Sequence, residues 1–182
     1  MTVPASRAEA LELDAADSLA ALRERFALPD GVVYLDGNSL GPPLANTAAR
    51  LHRALDAEWG GELVRAWNSC GWIGLPARVA SRIAPLIGAR EDEVAVADST
   101  SVNLFKLLAA ALALRPDRSV ILSERENFPT DLYVAQGLAD LLGERAQFKL
   151  VPRRQLRQEL DHRVAVLMLT HVDFRSGELH DM

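Results

Sequence analysis

Two short polar segments carry the residue types that could do chemistry. Asp98-Ser99-Thr100-Ser101 places hydroxyls at a helix start, and Phe128-Pro129-Thr130-Asp131, about one strand-helix unit later, sets an aromatic ring beside a carboxylate. Unpaired N–H groups and the dipole at a helix N-terminus favour an anion, and the hydroxyls of Thr100 and Ser101 add donors. A phosphate fits there, although simple capping by Ser and Thr accounts for the same residues. Phe128 precedes a proline, which biases it to an extended backbone and holds its ring outside the helix, free to stack on a flat ligand. The alternative is a hydrophobic staple, with Asp131 an ordinary first-turn acid. Together the two segments suggest a site for a flat, phosphorylated ligand.

A third segment, Gly37-Asn38-Ser39-Leu40-Gly41, has glycines flanking polar groups. The glycines permit unusual backbone angles and close ligand approach, or the segment is a plain turn in which Ser39 bonds its own backbone. It lacks the Gly-Lys-Ser/Thr ending of a phosphate loop. No Gly-x-Gly-x-x-Gly fingerprint and no Gly-x-Ser-x-Gly elbow occurs, which argues against dinucleotide-binding and hydrolase readings. His52, His162, His171 and His180 show no metal-ligand spacing, so no metal site is expected.

The elements that must position these residues follow from the apolar spacing. Residues Ser6 to Phe26 read as an amphipathic helical arm, Val32 to Leu35 as a short strand, Ala45 to Trp59 as a helix, and Pro76 to Ile87 as another, stopped by Gly88. Strands and helices then alternate. Val94 to Ala97 reads as a strand, Val102 to Leu114 as a helix, Ser119 to Leu122 as a strand and Asp131 to Leu142 as a helix. Gln147 to Val151 reads as a strand, Arg154 to Leu160 as a short helix and Val164 to Leu169 as a strand. Continuous apolar strands separated by helices predict an α/β fold with a mainly parallel sheet covered on both faces. In such sheets ligands bind at the carboxyl ends of the strands, where both polar helix starts belong. The chain stops after its last strand with no helix to cover that edge, which reads as a sign of truncation.

Composition bounds the function. The chain of 182 residues is 49% hydrophobic and 25% charged, the profile of a globular domain, and aromatics are only 5%. A net charge of -5 argues against a nucleic-acid partner. Arg153, Arg154 and Arg157 cluster, but Glu159 and Asp161 follow at once, as on a solvated face. Cys70 is the single cysteine, so no internal disulfide forms, in keeping with the cytoplasm. The N-terminal residues lack a secretory pattern, and no apolar run approaches the ~20 residues that span a bilayer.

The chain resembles the kynureninases, enzymes of the fold-type I class dependent on pyridoxal 5'-phosphate. The resemblance rests on Tyr34-Leu35-Asp36-Gly37-Asn38-Ser39-Leu40-Gly41, Thr100-Ser101-Val102-Asn103-Leu104, Phe128-Pro129-Thr130-Asp131 and the run from Leu169 through Thr170 to Gly177. It implies a part of the large domain of that fold. Residues 1–60 would form an N-terminal arm and substrate-side loop, and residues 61–182 part of the cofactor-binding domain. It further implies that Thr100 and Ser101 bind the cofactor phosphate and that Phe128 stacks on the pyridine ring. Thr130 and Asp131 would help hold the cofactor's polar edge, Pro129 would also line the cofactor site, and Thr170 would contact the ring or its hydroxyl side. Asn38 and Ser39 would lie near the substrate's amino-acid end, with Trp67 or Trp72 bordering its aromatic part. The implied reaction is hydrolysis of L-kynurenine, or 3-hydroxykynurenine, to an anthranilate and L-alanine in tryptophan catabolism and NAD biosynthesis, by a homodimer. A cysteine desulfurase of the same fold, or a non-catalytic protein that keeps the pocket, are the competing readings.

Enzymes of this class hold the cofactor aldehyde as a Schiff base on a lysine. Only Lys106 and Lys149 are present, and neither stands in the family's aromatic-Lys context. The resemblance therefore implies the N-terminal half of such an enzyme, without its catalytic lysine and inactive by itself. The 182-residue polypeptide, mixed with pyridoxal phosphate and dialysed, is expected to retain no visible absorbance. A retained band that disappears on Lys106→Ala would assign that lysine the role denied to it here.

Overall fold

The computed structural model describes residues 4–182, which divide into two compact units meeting between Arg78 and Val79. In the first, helix α1 (Arg7–Ala16) starts at Ser6, whose hydroxyl accepts from the Glu9 amide at 3.2 Å. The arm predicted as one helix to Phe26 breaks at Asp17, which is extended and whose side chain accepts from the Leu19 amide at 2.8 Å, beginning a separate 3-10 stretch, Ala20–Arg25. Helix α2 (Thr47–Arg53) continues into a π-helical stretch, Ala54–Trp59. Val32 to Leu35, predicted as a strand, is not one: a strand needs a hydrogen-bonded neighbour, and among the described residues this segment has none. The longer loop that contains it is closed instead by a bridge between Phe26 and Leu44. Helix α3 (Leu75–Ile83) carries the chain across the unit boundary and ends, through a 3-10 turn, at Gly88 with φ of 69°. Among the described residues of the first unit only Glu58 and Ala66 are buried.

The second unit has the predicted α/β character. Helix α4 (Thr100–Leu114), strand β1 (Val120–Glu124), helix α5 (Pro129–Leu142), strand β2 (Gln147–Val151), the short helix α6 (Leu156–Glu159) and strand β3 (Val164–Met168) follow in order. The sheet is parallel throughout, in the order β2-β1-β3. Val94 to Ala97 was expected as a further strand, but it pairs with no strand among the described residues.

Every residue of β1 is buried, and its side chains alternate between two cores. Ile121 enters a cluster with Leu108, Leu112, Ala135, Leu138 and Met168, between the sheet and α4 and α5. Val120 and Leu122 join Val151, Leu156 and Val164 on the α6 side. α4 and α5 run parallel: a groove of about 350 Å³ is lined by Ser101, Val102 and Phe105 from the start of one and Tyr133, Val134 and Gly137 from the first half of the other. Both helix N-termini therefore lie at the carboxyl edge of the strands.

Leu138 and Leu141 stand on the same helix, one 2% and the other 72% exposed. Leu138→Ala is expected to cost about 2–5 kcal/mol in denaturant unfolding. Leu141→Ala should stay within about 0.5 kcal/mol of the parent. Equal losses would mean that the core does not lie where the structure puts it.

Candidate functional site

The candidate residues fall into both units. In the second, α4 begins with Ser99 as its cap, the Ser99 hydroxyl accepting from the Val102 amide at 3.4 Å and the Ser99 carbonyl from the Asn103 amide at 2.9 Å. Ser99 therefore caps the helix, while the amides of Thr100 and Ser101 keep no acceptor among the described residues. Asp98, just before the cap, has a φ of 42°, a backbone region that few residues other than glycine adopt. The loop is tied to the helix by the Asn103 side chain, which donates to the Ala97 carbonyl at 2.7 Å.

Lys106 reaches back along α4 and pairs with the Asp98 carboxylate, and Lys149 pairs with Glu159. Each lysine is thus held by an acid. No group of three or more His, Cys, Asp or Glu side chains that could hold a metal occurs among the described residues, and no helix there is long and apolar enough to cross a membrane.

At the start of α5, Pro129 occupies the first helical turn, where its missing N–H costs nothing, and Phe128 precedes it with φ of -60° and ψ of 128°. The Phe128 ring is 43% exposed and meets Phe174 edge to face, with centroids 5.1 Å apart. Phe174 was not among the residues singled out for this role. It is placed by a turn that Asp173 organises, its carboxylate accepting from the Arg175 and Ser176 amides at 2.9 and 2.7 Å and lying below its ordinary pKa because of the Ser176 bonds first. The Arg175 guanidinium lies 4.9 Å from the Phe174 ring centroid.

Thr170 follows β3 and joins this group. Its hydroxyl lies 2.6 Å from Asn127 Oδ1 and 3.5 Å from Asp131 Oδ2. Burial pushes the Asp131 carboxyl above its ordinary pKa. Thr130 is exposed at the same helix start. Asn127, only 3% exposed, was passed over by sequence reading, because its importance lies in partners more than 40 residues away, with Thr170 at a separation of 43. On the other face of β1, buried Glu124 was missed for the same reason; its Oε1 lies 2.9 Å from His180 Nε2 and its Oε2 lies 3.9 Å from Arg153 Nε.

In the first unit, Ser39 sits in a turn: its hydroxyl donates to Asp36 Oδ1 at 2.7 Å and its amide to the Asp36 carbonyl at 3.1 Å. The Tyr34 hydroxyl donates to the Leu40 carbonyl at 2.5 Å and closes the loop around exposed Asn38. Neither Gly37 nor Gly41 has a positive φ, so the expected unusual angles are not used there. Trp72 donates its indole N–H to Glu58 at 2.7 Å and meets Trp67 edge to face at 6.4 Å. Arg50, 2.5 Å from Glu58, and then Trp72 hold that carboxyl below its ordinary pKa.

The second unit thus gathers the unbonded amides at the start of α4, the exposed Phe128 and the Thr170–Asp131 pair at the carboxyl edge of its strands. A small parallel α/β unit flanked by helices in this order is consistent with a fragment of a fold-type I domain. No protein-family model matches the chain. It is 54% identical to the kynureninase of Burkholderia mallei (strain SAVP1), 53% to that of Burkholderia pseudomallei (strain 1106a) and 52% to that of Pseudomonas fluorescens. Each comparison covers 97% of this chain and 44% of the relative. The chain belongs to the kynureninase family, and it spans 44% of the length of these curated relatives.

A carboxyl whose folded-state pKa is raised contributes stability below its unfolded value and loses it as pH rises through the folded one. Asp131 therefore weakens the ligand-free fold at neutral pH. Asp131→Asn is expected to raise the melting temperature at pH 7, with the gain shrinking as pH falls into the carboxylate range. A lowered melting temperature at pH 7 would contradict burial as the dominant influence on this group.

Proposed function

We propose that the protein carrying this chain is a kynureninase, cleaving L-kynurenine, and 3-hydroxykynurenine, hydrolytically to the anthranilate and L-alanine with pyridoxal 5'-phosphate as cofactor. The observation that carries the proposal is the identity of 52–54% to relatives of that name along 97% of the chain. In this reading the amides and hydroxyls of Thr100 and Ser101 receive the cofactor phosphate. Phe128 sets the plane of the pyridine ring with Pro129 beside it, and Thr130, Asp131 and Thr170 fix its polar edge. The bound cofactor supplies an electron sink for breaking a carbon-carbon bond.

The other assigned residues orient the substrate. Ser39 spends its proton on Asp36, so its oxygen has lone pairs left to accept from the ammonium of an amino acid. Asn38, exposed beside it, adds an amide. Trp72 has its N–H committed to Glu58, so it presents a ring face or edge to an aromatic substrate, with Trp67 packed against it. With Lys106 and Lys149 both held in ion pairs, this chain binds and orients, and alone it does not turn over. A homodimer working in the cytoplasm completes the proposal, the single Cys70 being suited to a reducing compartment.

The test is anthranilate release from L-kynurenine by the protein expressed from its full reading frame with pyridoxal phosphate added. Release is expected, with Phe128→Ala weakening cofactor binding about tenfold, as loss of a stacking contact of about 1–3 kcal/mol would. No anthranilate, together with sulfur release from cysteine, would assign the protein to the desulfurases instead.

A further inference from the structure

Asn127 is buried among groups whose hydrogen-bond roles are each forced. The Phe128 amide lies 2.7 Å from Asn127 Oδ1, and an amide only donates, so that atom of Asn127 must be the oxygen. Its Nδ2 then lies 3.0 Å from Ser123 Oγ and 3.5 Å from the Met168 carbonyl. Ser123 Oγ lies 2.8 Å from that same carbonyl, which only accepts, so Ser123 donates there and receives from Asn127. One link remains. Thr170 Oγ1 lies 2.6 Å from Asn127 Oδ1, an acceptor, so Thr170 donates to it.

A hydroxyl has one proton. Once that proton is given to Asn127, the contact of 3.5 Å between Thr170 Oγ1 and Asp131 Oδ2 sets two acceptors against each other. We propose that Asn127 is a positioning residue that fixes the direction of the Thr170 hydroxyl, so that Thr170 and Asp131 together form a subsite for a hydrogen-bond donor, an N–H or O–H, on the bound ligand. An anion is turned away from this end and left to the amides of α4. Without Asn127, the Thr170 proton is free to turn to Asp131, and the pair satisfies itself. The inference rests on the reading of Thr170 as a cofactor contact.

The test is a double-mutant cycle in the protein expressed from its full reading frame, reading the Kd for pyridoxal phosphate from quenching of tryptophan fluorescence, with the melting temperature of the ligand-free protein recorded alongside. Asn127→Ala is expected to weaken binding about tenfold in the parent and less than about twofold in a Thr170→Val background, because residues acting through one another are not additive. Equal losses in both backgrounds would overturn the inference and leave a purely structural asparagine. Thr170→Val with an unchanged Kd would instead sink the cofactor reading on which the inference stands. Should Asn127→Ala fail to fold, Asn127→Asp decides: it keeps the accepting oxygen, so Thr170→Val must weaken binding as much in that background as in the parent. A Kd insensitive to Thr170→Val there overturns the proposal.

Discussion

A central parallel strand buried on both faces must end somewhere, and its last side chains must be satisfied where no water reaches. In β1 those side chains are Ser123 and Glu124, 0% and 3% exposed. Leaving either without partners would cost more than most contacts in the unit return. Ser123 faces the α4 and α5 side and binds the carbonyl at the end of β3 and the Asn127 amide. Glu124 faces the other way: His180 meets its Oε1 at 2.9 Å, while its buried Oε2 has no hydrogen-bond partner among the described residues and only the Arg153 charge 3.9 Å away. The needs of two adjacent residues thus place the turn before α5, the end of β3 and the segment that follows it.

The same requirement explains why the candidate residues collect at this edge. Asn127, held by Ser123, anchors the amide of Phe128 and the hydroxyl of Thr170, so the aromatic ring and the polar edge of the candidate site share one support. Asp131 stands beside them with its carboxyl destabilised by burial.

What the sequence makes legible here is what depends on neighbours in the chain. Phe128-Pro129 announces a helix start because proline locks its own angle and restricts the residue before it. The run Val164 to Met168 announces a buried parallel strand because nothing polar interrupts it. Val32 to Leu35 and Val94 to Ala97 look like strands by the same rule, yet neither is paired among the described residues, because pairing belongs to two segments and the pattern reports on one. Leu11, Leu13 and Leu19 have helical spacing but are 57%, 57% and 63% exposed in the unit they belong to. The site shows the same division. Thr100, Ser101 and Phe128 advertise themselves through local motifs, whereas Asn127, Glu124 and Phe174 gain their roles from residues far along the chain.

The parallel course of α4 and α5 carries an electrical consequence. In a pair of antiparallel helices the end charges largely cancel, but here two positive ends, each about half an elementary charge, lie side by side. Asp131 offsets one of them from within its own first turn, while the first turn of α4 contains no acid. Asp98 stands close by, but Lys106 already neutralises it. With Asp131 offsetting the pole of α5, the pole of α4 is the one left without an acid in its own first turn, and the edge they share is electrically lopsided towards α4.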